Sequence, residues 1–268
     1  MVDRCLIAEA GINHNGELKT ALKLVDAAKK AGADVVKFQT YKTEKRIQKK
    51  YKKIFEILKK CELSYKDFEL IKNYCDYKKI IFSSTPFDLE AVDFLSEMNV
   101  KFLKVASFDI SNAELINKIL GKKKMTIIST GMASLKEINN VYKKFKIKKV
   151  PLVLLHCISS YPNKKENSYL ANIKFLQNKF NCEIGLSDHS IDIEIPVIAK
   201  AMGVKYIEKH FKLNNKHKCV DAPVSIGAKE FKQLSYKVEQ IDKIIGNVQF
   251  GIRKEEKNSV IFKRKKIF

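Results

Sequence analysis

The 268 residues suit one large domain, and an apolar share of 45% can fill its core. No stretch offers the ~20 uncharged apolar residues of a bilayer span, and the N-terminal run MVDRCLIAEAG breaks at Glu9, so neither a membrane span nor a signal peptide is expected, and a cytoplasmic location is the expectation. The net charge of +22 does not by itself imply nucleic acid: four of the 52 basic residues are arginine, the usual reader of bases and phosphates, and the basic runs 42–60 and 253–268 read as solvated faces and a charged tail.

In chain order, Leu6–Ala10 predicts a strand, followed by the turn GINHNG and an amphipathic stretch over 18–32 that stops on Gly32, as helix C-termini do. Further strand-like runs follow at Asp34–Gln39, Ile80–Ser84, Phe102–Ala106, Thr126–Ser129, Leu152–His156, Glu183–Ser187 and Tyr206–His210. Helical patterns such as DLEAVDFLSEMN, AELINKILG and IEIPVIAKAMG separate them. Strands alternating with helices predict a parallel sheet, and units of this kind filling about 250 residues predict a closed (β/α)8 barrel over 1–250; an open doubly wound sheet is the alternative. The segment 41–78 exceeds one connection and is expected to add helices near 50–60 and 64–77 as an insertion, and 251–268 reads as a basic tail. Six cysteines (5, 61, 75, 157, 182 and 219) lack CxxC spacing and read as small buried hydrophobes in a reducing compartment.

Such folds bind ligands at the carboxyl ends of their strands. Four of the five histidines, His14, His156, His189 and His210, follow strand-like runs, so an active site is expected there, with histidine as base or metal ligand. The same ends carry Glu9, Lys37, Gln39, Thr85, Asp88, Lys104, Ser107, Asp109, Ser129, Ser159, Tyr161, Ser187, Asp188 and Glu208. Lys37 in VVKFQ and Lys104 in FLKVAS interrupt apolar runs, which is costly unless each meets an anion. Two such lysines among hydroxyls predict a site for a substrate bearing phosphate and carboxylate. His189 and His210 end consecutive strands and predict a divalent-metal pair.

The blocks AEAGINHNG, VVKFQT, STPFD, KVAS, STGMAS, LLHCISSYP, IGLSDHS and IEKHF, in this order, resemble the N-acetylneuraminate (sialic acid) synthase family, which includes legionaminic and pseudaminic acid synthases. The resemblance implies a metal-dependent (β/α)8 barrel that condenses phosphoenolpyruvate with an open-chain N-acyl hexosamine and releases phosphate. It implies His189 and His210 as ligands of Mn2+, with Mg2+ or Co2+ as alternatives. Lys37, Lys104, Ser107, Ser129, Ser159 and Ser187 would hold phosphoenolpyruvate. Glu9, Gln39, Asp109, Tyr161 and Asp221 would lie near the sugar or the reacting centre, Thr85 beside the substrate, and Glu208 near the metal's water shell. Glu9, Lys37 and Glu208 are the expected catalytic groups.

The resemblance also implies a C-terminal antifreeze-like domain that, in a dimer, lies over the partner's barrel and contributes an arginine to the sugar's acyl group. This chain stops where that domain would begin, so a homodimer is expected whose sugar pocket is open, completed by a separate antifreeze-like polypeptide, or changed in specificity. Two other readings stay open: a phosphoenolpyruvate-dependent synthase for another aldose, and a non-catalytic barrel or binding subunit. Neither membrane nor nucleic acid is expected as a partner.

Overall fold

In the computed structural model, which describes residues 4–264, every one of these apolar runs forms a strand: β1 (Cys5–Gly11), β2 (Val35–Thr40), β3 (Ile81–Pro86), β4 (Leu103–Val105), β5 (Thr126–Ser129), β6 (Leu152–Cys157), β7 (Glu183–Asp188) and β8 (Tyr206–Lys212). All ladders are parallel, in the order β3-β2-β1-β8-β7-β6-β5-β4. The two ends of this path, β3 and β4, lie against each other and complete a (β/α)8 barrel without a ladder between them. β4 is accordingly shorter than the sequence predicts, because β5 alone pairs with it. β8 is longer, because Phe211 and Lys212 pair with a two-residue strand, β9 (Ile226–Gly227).

Alternation along the strands divides the chain's apolar residues into two sets. Ile7, Val35, Phe102, Ile127, Val153 and Leu155 point into the barrel and fill its floor. Their neighbours, among them Leu6, Ala8, Val36, Leu103, Ile128 and Leu154, face the surrounding helices and join the main core. Two residues above four of these positions, the inward face turns polar: Glu9 follows Ile7, Lys37 follows Val35, Lys104 follows Phe102 and Ser129 follows Ile127.

The outer ring is α1 (Leu18–Lys30), then, after two helices considered below, α4 (Tyr65–Tyr77), α5 (Leu89–Glu97), α6 (Ala113–Gly121), α7 (Leu135–Lys148), α8 (Ala171–Lys179), α9 (Glu194–Ala201) and α10 (Ala228–Ile245). Side-chain caps start several of them: the Asp88 carboxylate accepts from the Ala91 N–H, and Ser64 and Ser134 form reciprocal boxes with Asp67 and Glu137. α1 ends just before Gly32, whose φ of +83° suits glycine; a Cβ there would meet Ser235 Oγ of α10 at 2.4 Å. The expected insertion over 41–78 narrows. α4 packs beside α1 and behind β3, so it belongs to the ring, and the added material is α2 (Thr43–Arg46) and α3 (Lys52–Cys61). Beyond α10 the chain carries an exposed 3-10 segment, Lys254–Phe262. No helix among the described residues is long and apolar enough to cross a membrane.

Candidate active site

A cavity of about 320 Å3 opens at the carboxyl ends of the strands. Its base is a network of two lysines and two carboxylates. Strand register places Glu9 opposite both Lys37 and His210, and Ser187 opposite Glu208. Lys37, 2% exposed, lies 2.6 Å from Glu9 Oε2 and 3.5 Å from Glu208 Oε2, and donates to Thr85 Oγ1 at 3.0 Å. Lys104, also 2% exposed, donates to Ser129 Oγ at 2.7 Å and lies 3.7 Å from Glu208 Oε1. The two lysines that break apolar runs therefore meet carboxylates of this same chain.

Their titration follows from these partners. Burial works against charge on Lys37, but Glu208 and Glu9 outweigh it and raise its pKa above the ordinary lysine value. Lys104 is lowered, by burial first and then by Lys37, with Glu208 opposing. Burial also works against the Glu208 carboxylate, yet Lys104, Lys37 and the Ser187 hydroxyl hold it well below the usual range. Two lysines set against two carboxylates balance in formal charge, which is what lets such a network occupy a buried site.

Beside Lys104 lies a hydroxyl cradle. The Gly131 N–H donates to Ser107 Oγ at 3.1 Å, and a Cβ on Gly131 would sit 2.4 Å from Ser159 Oγ and 2.8 Å from Ser107 Oγ. Ser159 Oγ is buried with no hydrogen-bond partner among the described residues. Of the remaining sequence-predicted residues, Gln39, Thr85, Tyr161, Ser187 and Asp221 line the cavity. Asp109 does not: it sits in the turn after β4, accepts from Asn112 Nδ2 at 3.3 Å, and has its pKa raised by burial.

Of the four strand-end histidines, two reach the cavity. His189 and His210 have ring centroids 5.2 Å apart, and the Tyr161 ring lies tilted against His189 with centroids 4.1 Å apart. His156 has the outward parity of Leu152 and Leu154, and its Nε2 meets the Ser168 carbonyl at 2.7 Å, away from the site. His14 lies in the turn after β1, where its Nδ1 accepts from the Gly16 N–H at 3.1 Å and its ring packs on Phe38. Asp88 and Asp188 are also structural: Asp88 accepts from the Lys42 N–H, and Asp188 pairs with the buried Lys209.

A model of the NeuB family matches residues 24–250. The chain belongs to the NeuB family. It is 38% identical over 269 residues to the N,N'-diacetyllegionaminic acid synthase of Campylobacter jejuni, covering 94% of this chain and 80% of that protein. It is 35% identical to the pseudaminic acid synthase of the same organism, covering 97% and 80%. Among solved structures, the N-acetylneuraminic acid (sialic acid) synthetase of Leptospira borgpetersenii, in complex with citrate, superposes with a TM-score of 0.92 at 37% identity, covering 97% of this chain and 92% of that one.

The histidine pair suits a metal ion. The Ile158 carbonyl can only accept, so His189 Nδ1, 2.7 Å away, carries a proton, which leaves Nε2 as the nitrogen that would meet an ion, the usual orientation of a ligating imidazole. His210 Nδ1 is buried and lies 3.6 Å from Asp221 Oδ2, with no hydrogen-bond partner among the described residues. No group of three or more His, Cys, Asp or Glu side chains among those residues is set to hold an ion, so the rest of a coordination shell would fall to water and substrate.

Sequence reasoning missed two groups in this NeuB-family site. Cys157, read as an inert hydrophobe, lines the cavity with its Sγ 3.5 Å from Ser107 Oγ; it shares the inward parity of Val153 and Leu155, which was the available signal. Arg46, read as part of a solvated basic run, lines the cavity's outer half and donates to Gln39 Oε1 at 3.1 Å. Its place in that run gave no signal, because α2 turns it inward.

Proposed function

We propose that this chain condenses phosphoenolpyruvate with the open-chain form of an N-acyl hexosamine, yielding a nonulosonic acid and phosphate, with a divalent ion of the Mn2+ class held by His189 and His210. The observation that carries the reading is the buried Glu9–Lys37–Glu208–Lys104 network beside a hydroxyl cradle and a histidine pair. The names of the relatives, synthases of legionaminic, pseudaminic and sialic acids, support the same reaction.

In this reaction the enol carbon C3 forms a bond to the aldehyde carbon, and the carbonyl π pair moves to the aldehyde oxygen, which takes a proton. Water adds to the cationic C2 and loses a proton. The tetrahedral C2 then expels phosphate with its bridging oxygen and becomes a ketone, its new hydroxyl giving up the remaining proton to the leaving phosphate. Lys37 and Lys104, fixed on strands, place positive charge where the phosphate and carboxylate oxygens sit, without reorganising during turnover. Ser107, Ser129, Ser159 and Ser187 surround that place with donors, and the absence of a Cβ at Gly131 keeps the cradle open. Glu9, held by Lys37 on one oxygen and by Gln39 Nε2 at 3.1 Å on the other, is placed to take the proton of the adding water. When bound, the ion supplies Lewis acidity toward the aldehyde oxygen.

The test is phosphate release from phosphoenolpyruvate with a panel of N-acyl hexosamines, using substrate labelled with heavy oxygen at the bridging position. The label is expected in the phosphate. No release with any acylated hexosamine, or label retained in the sugar acid, would refute the reading.

A further inference from the structure

A further lysine lies buried in the barrel wall, outside the cavity and its charged base. Lys209 sits on β8 with the outward parity of Ile207 and Phe211, which both belong to the main core, and its exposure is 0%. An apolar residue there would continue the pattern. A buried ion pair is rarely worth more than apolar side chains of similar volume, so stability alone does not account for a charge at this position.

An ammonium has three donors, and among the described residues those of Lys209 go to two residues. Nζ lies 2.5 Å from Asp188 Oδ2, and it donates to Ser190 Oγ at 3.2 Å and to the Ser190 carbonyl. Asp188 and Ser190 are also tied to each other: Asp188 Oδ1 accepts from the Ser190 N–H at 2.9 Å, and Oδ2 from the Ser190 hydroxyl at 2.8 Å. The residue enclosed between them is His189.

The two histidines of the candidate metal site are held in different ways. His210 lies within β8, in the ladder opposite Glu9. His189 lies one residue past the end of β7, whose last ladder pair is Asp188 with Lys209. Its carbonyl accepts from the Asn163 N–H at 3.0 Å and its Nδ1 meets the Ile158 carbonyl, both in the connection between β6 and α8. Lys209 supplies the link that the ladder does not. It is one residue from His210 along the strand, and it is bonded to both chain neighbours of His189.

We propose that Lys209 is a positioning residue that fixes the spacing of the histidine pair, whose ring centroids are 5.2 Å apart, so that both rings reach one divalent ion. This assignment rests on the reading of His189 and His210 as ligands given above. Without the ammonium, the turn over 188–190 keeps its internal hydrogen bonds but loses its side-chain tie to β8, and the two rings no longer share one rigid support.

The experiment is equilibrium dialysis of Mn2+ against wild type, Lys209→Met and the double variant Lys209→Met with Asp188→Asn, alongside thermal unfolding of the same proteins without metal. Lys209→Met strands a buried carboxylate, so its unfolding midpoint should fall by roughly 10 °C. Its Mn2+ affinity should fall roughly 10–100-fold, the usual effect of losing a group that orients a metal ligand. Asp188→Asn removes the stranded charge and keeps an acceptor for Ser190. The double variant should therefore recover most of the midpoint and none of the Mn2+ affinity. The KM for phosphoenolpyruvate at saturating Mn2+ should not move in either variant, since no partner of Lys209 belongs to the Lys37 and Lys104 network. Mn2+ affinity that returns together with stability, or a KM for phosphoenolpyruvate that rises as far as Mn2+ affinity falls, would reduce Lys209 to a support of the fold and overturn the assignment. So would wild-type Mn2+ affinity in Lys209→Met. Should that variant not fold, Ser190→Ala decides: losing one hydroxyl of the tie should weaken Mn2+ roughly 2–10-fold, and unchanged affinity refutes the positioning role. Wild type that binds no Mn2+ would instead sink the reading of the pair as ligands.

Discussion

Among the described residues, Glu208 is the carboxylate that lies within 4 Å of both Lys37 and Lys104, so Glu208→Gln tests whether this base is held together by mutual neutralisation. The amide keeps the size of the side chain and can still accept from the Ser187 hydroxyl, which lies 2.9 Å from Oε1 in wild type. Lys37 would retain Glu9 and Thr85, whereas Lys104 would retain only the Ser129 hydroxyl and the Val105 carbonyl. Removing one partner from a buried ion network typically costs about 3–5 kcal/mol. At a few degrees per kcal/mol, the unfolding midpoint of a chain this long should fall by roughly 10 °C. The network's charge rises from zero to +1, so the variant should bind anions more tightly although it turns over less. Phosphoenolpyruvate at a hundred times its Kd would return about 2.7 kcal/mol. The assay is thermal unfolding of both proteins over a phosphoenolpyruvate titration. The ligand-induced rise in midpoint should be larger in the variant. A variant as stable as wild type, or one stabilised less by the ligand, would refute the neutralisation argument.

Burial lowers the His14 pKa from 6.5 to about 4, so the ring is neutral in the fold. Below pH 6.5 the unfolded chain takes up a proton that the folded chain refuses, and stability falls until about pH 4, by about 3 kcal/mol at 1.36 kcal/mol per unit; urea unfolding of wild type and His14→Leu should show this slope only in wild type. Gly131→Ala would push its Cβ into Ser159 Oγ and Ser107 Oγ and should raise the KM for phosphoenolpyruvate at least tenfold, with far-ultraviolet circular dichroism unchanged; an unchanged KM would show that the cradle does not hold the anion. His189→Ala and His210→Ala should each lose bound Mn2+ in equilibrium dialysis while keeping the fold, and full occupancy in both variants would dismiss the pair as ligands.

The barrel was legible because its signal is periodic: runs of Val, Ile and Leu at regular intervals, punctuated by amphipathic segments, leave few arrangements. The ionised base was legible for a related reason, since lysine within VVKFQ or FLKVAS demands a partner wherever the strand lies. What those lysines pair with was not legible. The anions turned out to be Glu9 and Glu208, brought together by register across β2, β1 and β8. The histidines show the cost of reading position without parity. His156 and Cys157 end the same strand, but only the cysteine shares the inward step of Val153 and Leu155. Arg46 illustrates a different limit, because its environment depends on how a short non-barrel segment folds back over the mouth, and nothing in TEKRIQKK encodes that locally.

The unladdered boundary between β3 and β4 has a consequence for the barrel's motion. Backbone hydrogen bonding holds each of the other six barrel strands on both sides, so thermal opening should begin along this line, and amides of Ile81–Pro86 and Leu103–Val105 should exchange with solvent sooner than those of β1 or β8. Thr85 and its partner Lys37 lie on one bank of the seam, Lys104 on the other. An anion gripped by both lysines would act as the missing rung, slowing exchange on both banks at once, so that the substrate fastens the container that holds it.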